Sequence, residues 1–137
     1  MYNARILIEA GVVTSLHSDN NEIASRMNWE AGKLLRTGLT QEQALSTVTN
    51  QAAKAVAIDA RVGSLEAEKD ADFVIWSGNP LSQFTRAEQT WVDGRRYFSL
   101  EEDAAIRQQI DRERTQLIQA ILSIAGNGNM RDQRGSN

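Results

Sequence analysis

The 137-residue chain contains no cysteine, one histidine and one proline, and each scarcity removes a class of chemistry. Without cysteine there is no disulfide framework, no thiolate nucleophile and no cysteine-ligated zinc or iron–sulfur centre. With His17 as the sole imidazole, a site needing several histidines cannot be assembled within one copy. There is no basic excess either. A net charge of -3 and a pI near 5.2 argue against a nucleic-acid-binding surface. No apolar run approaches the roughly 18 residues needed to cross a bilayer. The opening MYNARILIEAG is a poor signal peptide because Glu9 interrupts its apolar stretch. The expectation is a cytoplasmic chain with no membrane and no nucleic-acid partner.

What is present suits a folded chain. The composition is 41% hydrophobic and 24% charged with nine glycines, inside the globular range. A compact chain of this mass exposes roughly 7,000 Å² of the roughly 22,000 Å² open in the unfolded state, burying about two-thirds.

The hydrophobic pattern gives an order of elements. Ile6, Leu7 and Ala10 predict a short helix ended by Gly11. Val12 to Leu16 form a β-branched run without polar alternation, as expected of a strand covered on both faces. After the polar burst His17 to Asn21, one stripe of Ile23, Met27, Ala31, Leu34 and Leu35 predicts a helix over 23–37 that Gly38 ends. Thr40 and Gln43 form a capping box opening a helix that runs to about Ala57. Strands follow at Phe73 to Trp76 and on either side of the Asp93-Gly94 turn. From Ser99, Ile106, Ile110, Leu117, Ile121 and Ile124 mark a last amphipathic helix, with Asp103 and Arg107 as an i, i+4 pair. The remaining GNGNMRDQRGSN has no periodicity and reads as disordered.

The chemistry-bearing residues cluster at His17-Ser18-Asp19-Asn20, directly after the double-sided strand. In parallel sheets, ligands gather at the carboxyl ends of strands, where a carboxylate can move a proton or hold a metal. The competing reading is that Asp19 or Asn20 caps the next helix and His17 is an ordinary hydrogen-bonded side chain. Gly63-Ser64 and Gly78-Asn79 lack phosphate-loop spacing and read as turns. The acids of EAEKDAD lack the glycine and final glutamate of a calcium loop and read as a solvated turn.

Taken in order, IEAGVVTSLHSDN, GLTQEQALSTVTNQAAKAVAID, VGSLEAEKDADFVIWSGNPL and VDGRRY resemble the C-terminal part of metal-dependent amidohydrolases, with an imidazolonepropionase-like flavour. The resemblance covers roughly Asn3 to Phe98. It implies an α/β fold: the C-terminal fragment of a (β/α)₈ TIM barrel, contributing the last strand and its helices, plus strands of a small β-sandwich and a C-terminal helix. The corresponding segments are a barrel end over 1–57, a sandwich segment over 58–98, an amphipathic helix over 99–125 and a tail over 126–137. Asp19 falls on the family's aspartate after the eighth strand, which contacts the metal and shuttles a proton, while His17 and Asn20 would line the substrate pocket. Asp72 matches a structural position. The sequence departs from the family at Asn50-Gln51, where Asn-Pro is usual, at Ala57, where a glycine often ends the helix, and at Glu68, where a turn glycine is common.

The family's H-x-H pair and its other ligands are missing from these residues. The resemblance therefore implies the end of a hydrolase of C–N bonds in cyclic amide, amidine or peptide-like small molecules. Its divalent metal, zinc by family habit, would be held only by the complete enzyme, with none expected in the isolated chain. On its own the chain would be inactive and would need the missing N-terminal barrel part or a homo-oligomer partner. The alternative is a non-catalytic association module built on the last helix.

Overall fold

A computed structural model describes residues 2–134, with side chains described through residue 124. The chain divides into two compact units, Met1–Ser99 and Leu100–Asn137.

The first unit begins with α1, Tyr2–Glu9. Gly11 closes it at φ 77°, its N–H donating to Ile8 O (3.0 Å) while Val12 N–H donates to Leu7 O (2.9 Å). This is a Schellman end, which needs a left-handed residue at that position. The packed face differs from the expected one: Ala4 and Ile8, one turn apart, lie on the core, whereas Ile6 and Leu7 are exposed.

Val12 to Leu16 do not form a strand. A parallel strand needs a ladder partner on its flanks, and the three strands among the described residues pair only with one another. Val12 and Val13 are half exposed, and Leu16 is fixed by its N–H to Thr47 O (3.1 Å) and its contact with the core.

The helix expected over 23–37 is present in pieces: α2, Asn21–Ala24; α3, Met27–Lys33; and a 3-10 turn, Leu34–Thr37, that Gly38 ends at φ 93°. Ser25 causes the break by donating its hydroxyl to Glu22 O (2.7 Å), which offers the backbone an alternative to the helix. The capping box at Thr40 is formed, with Gln43 N–H on Thr40 Oγ1 (3.1 Å) and Thr40 N–H on Gln43 Oε1 (2.9 Å), and it opens α4, Gln41–Ser46. The expected single helix to Ala57 is then interrupted before α5, Asn50–Ala55. Thr47 and Thr49 turn their hydroxyls back onto Ala44 O and Leu45 O there.

These helices enclose a core of Ala31, Leu34, Leu39, Ala44 and Leu81. It depends on close approach: a Cβ added at Gly32 would lie 2.5 Å from Leu81 O, and Asn28 Nδ2 donates to Pro80 O at 2.6 Å. The core is small.

The sheet is an antiparallel meander of β1, Phe73–Trp76, β2, Ala87–Val92, and β3, Arg95–Ser99, in that order. Asp93 and Gly94 take φ 49° and 70°, the paired positive values of the expected primed turn. Across the first ladder Phe73 stacks on its register partner Trp91, with ring centroids 5.5 Å apart. Asp72 accepts the Asp93 N–H (2.8 Å) and Ala71 O accepts the Gly94 N–H (3.1 Å), so the segment entering β1 is tied to the hairpin tip. The fold is mixed α/β with helices beside an antiparallel sheet.

The family departures all fall on locally demanding backbone or buried atoms. Ala57 takes φ 58° and Glu68 φ 71°, left-handed values that favour glycine. Gln51 carries a buried Oε1 with no hydrogen-bond partner among the described residues.

The second unit is α6, Leu100–Arg134. The expected Asp103–Arg107 pair forms at 2.7 Å. The helix runs past the end expected at 125; of the anticipated disordered tail over 126–137, residues 135–137 and every side chain lie outside the described residues.

Candidate functional site

The loop between α1 and α2 brings His17, Asp19 and Asn20 together at the surface. Asp19 is held at φ 55°, a left-handed value aspartate tolerates better than most residues. His17 Nδ1 lies 2.8 Å from Asp19 Oδ1 and 3.1 Å from the Asp19 backbone N–H. A single ring nitrogen cannot serve both contacts at once. Neutral with a free lone pair it accepts the N–H, and protonated it donates to the carboxylate. Both side chains are open to water, at 81% and 92% exposure, so the pair forms one exposed acid–base corner.

Asn20 has a different job. Its Oδ1 accepts the Ile23 N–H at 2.8 Å and caps α2, as the capping alternative required. Asn20 thus fixes where the helix begins, and the His17–Asp19 pair stays outside the cap.

The donor set does not fit a metal ion by itself. A catalytic zinc site takes three protein ligands, and no group of three or more His, Cys, Asp or Glu able to hold a metal exists among the described residues. Two of the four acids of EAEKDAD, Glu66 and Asp70, are engaged by neighbours in and beside their own turn. Arg61 Nη2 pairs with Asp70 Oδ2 at 2.5 Å, and Ser64 Oγ donates to Glu66 Oε1 at 2.7 Å while Lys69 Nζ donates to Ser64 Oγ at 2.6 Å. The Ser64 hydroxyl and the Lys69 charge hold the Glu66 carboxyl below its ordinary range.

A shallow groove of about 380 Å³ lies elsewhere, lined by Gln41, Glu42, Leu45, Asn79, Pro80 and Leu81. It was not anticipated from sequence; the Asn79-Pro80 turn, whose Asn79 Nδ2 donates to Gln41 Oε1 (3.0 Å), is the only local signal for it. It does not include His17, Asp19 or Asn20.

The model of the amidohydrolase family matches residues 1–97, which includes this loop and the whole sheet except the end of β3. The chain belongs to the amidohydrolase family. Amidohydrolase tasK of Hapsidospora irregularis is 33% identical over 95 residues, covering 69% of this chain and 10% of that protein. An imidazolonepropionase of Erwinia tasmaniensis is 54% identical over 39 residues, covering 28% of this chain and 10% of that protein. Among solved structures, an amidohydrolase from Thermotoga maritima superposes with a TM-score of 0.63 at 32% identity, over 70% of this chain and 25% of that one. The chain thus spans about a tenth of the length of the curated amidohydrolases it matches.

Proposed function

We propose that this chain is the C-terminal portion of a metal-dependent amidohydrolase that hydrolyses C–N bonds in cyclic amide, amidine or peptide-like small molecules. The observation that carries the reading is the match over 1–97 combined with a Val12–Leu16 segment outside any sheet that precedes the exposed Asp19 carboxylate by three residues. In the complete enzyme this segment would be the eighth barrel strand, 1–57 the barrel end and 58–98 part of the small β-sandwich.

Asp19 would then stand at the carboxyl end of a barrel strand, where the fold places its chemistry. Its carboxylate would accept a proton from the attacking water and return it to the departing nitrogen, a role that requires a free oxygen on an exposed corner. It would also contact the metal, whose remaining ligands come from residues this chain lacks. His17 would line the substrate pocket beside it, and Asn20 would fix the loop by capping α2. No step proceeds on this chain alone, so the isolated chain is inactive.

The test is a calorimetric zinc titration of the purified chain, paired with a hydrolysis assay on a panel of cyclic amides. The expected result is neither stoichiometric binding nor turnover from the chain alone. Turnover should appear when a barrel segment supplying the remaining strands and ligands is co-expressed with it, and should be lost in Asp19→Asn. Tight stoichiometric zinc binding or turnover by the chain alone would overturn the proposal.

A further inference from the structure

Between α4 and α5 the backbone tightens instead of continuing as one helix. Thr47, Val48 and Thr49 N–H donate three residues back, to Ala44, Leu45 and Ser46 O, at 3.3, 3.1 and 3.2 Å. Hydroxyls supply further donors to the carbonyls left without their usual partners: Ser46 to Gln43 O (2.8 Å), Thr47 to Ala44 O (2.7 Å) and Thr49 to Leu45 O (3.1 Å). Thr47 sits in this stretch at 0% exposure. Its own carbonyl, which would face the Gln51 N–H in a continuous helix, accepts the Leu16 N–H at 3.1 Å.

We propose that Thr47 is a positioning residue for the His17–Asp19 corner, acting through Leu16. The role rests on the reading of Asp19 as the proton shuttle. His17, Ser18 and Asp19 bridge two fixed points. Leu16 is the first, held by Thr47 O and by its contact with the core. Asn20 is the second, capping α2 through the Ile23 N–H. The His17 and Asp19 side chains stand in water, so packing does not hold them. Asp19 nevertheless keeps φ 55°, and such a backbone value persists where the surroundings over-determine it. The two anchors supply that constraint.

The Thr47 hydroxyl keeps its end of the span in place. In Thr47→Val, Ala44 O loses a donor, and it recovers one from the Val48 N–H by continuing the helix. That change turns the Thr47 carbonyl along the helix axis toward Gln51 and away from Leu16. Thr47→Ser keeps the hydroxyl and so keeps the anchor.

The test is NMR on the isotope-labelled full chain, so it needs no turnover and stands or falls separately from the hydrolase reading, which the Asp19→Asn assay tests. In Thr47→Val, Leu16 amide exchange should quicken about tenfold, the loss of one net hydrogen bond. Backbone order parameters at His17 to Asp19 should fall from about 0.85 to below about 0.6. Exchange in β2 should not change, and Thr47→Ser should restore both readouts. Independently of any variant, a scalar coupling across the hydrogen bond from Leu16 N to the Thr47 carbonyl carbon is expected in the parent chain. Its absence overturns the proposal. So does a Thr47→Val chain in which Leu16 is freed while His17 to Asp19 stay ordered, in which neither changes, or in which β2 exchange quickens as much as Leu16. Failure of serine to restore the parent behaviour overturns it too.

Discussion

Replacing Ala57 by glycine should stabilise the first unit, although glycine placed inside a helix usually destabilises. The α5 terminus is a Schellman motif: Ile58 N–H donates to Ala53 O (3.0 Å) and Ala57 N–H to Lys54 O (3.1 Å). Gly11 holds the equivalent position after α1, at φ 77°, where Ala57 takes φ 58°. A left-handed residue with a Cβ costs about 1–2 kcal/mol. Glycine removes that strain but gives the unfolded chain about 0.4–1 kcal/mol more entropy. Ala57 is exposed, so its methyl contributes no packing to lose. The net expectation for Ala57→Gly is a gain of about 0.5–1 kcal/mol, read as an increase in the urea midpoint with an unchanged slope. Ala55→Gly, two residues earlier inside α5, is the control and should destabilise by about 0.5–1 kcal/mol. If Ala57→Gly destabilises by as much as the control, the strain at φ 58° does not limit stability and the reasoning is wrong.

Gln51→Pro should stabilise by about 1 kcal/mol in the same assay, because it removes a buried unpartnered oxygen from the first turn of α5, where proline is tolerated. Gly32→Ala should destabilise by about 1–3 kcal/mol in urea unfolding, since the added Cβ would lie 2.5 Å from the Leu81 carbonyl oxygen, a backbone atom that cannot rotate away. Glu66 has a folded-state affinity for protons below that of the unfolded chain, owing first to the Ser64 hydroxyl and then to Lys69. Its contribution to stability is therefore full above the unfolded carboxylate range and is lost as pH falls through the depressed folded value. Comparing urea midpoints at neutral and acid pH, Glu66→Gln should show a smaller acid loss than the parent chain.

Local chemistry was legible in the sequence wherever its cause was local. The Asp93-Gly94 turn, the Thr40–Gln43 capping box and the glycine ends at Gly11 and Gly38 depend on a few adjacent residues, and all are present as read. The family, too, was readable from ordered motifs spread over the matched region. The segment Val12 to Leu16 was misread in state because a β-branched run specifies a strand only when a ladder is there to receive it. The long helices were over-extended because the apolar stripe continues through Ser25 and Thr47, while their hydroxyls, invisible to periodicity, divert the backbone. Within the loop, Asn20 proved to be a cap, which sequence left open beside a binding role. The pairing of His17 with Asp19 at 2.8 Å was not legible, because it depends on the left-handed turn at Asp19.

The most direct measurement is amide hydrogen exchange over residues 12–16 in the chain alone. If these residues are a barrel strand deprived of its neighbours, Val13, Thr14 and Ser15 should exchange close to the unprotected rate, while Leu16, bonded to Thr47 O, and the central residues of β2 exchange slowly. Protection at Val13 to Ser15 equal to that of β2 would show the strand already paired within this chain and would contradict its assignment as an incomplete barrel end.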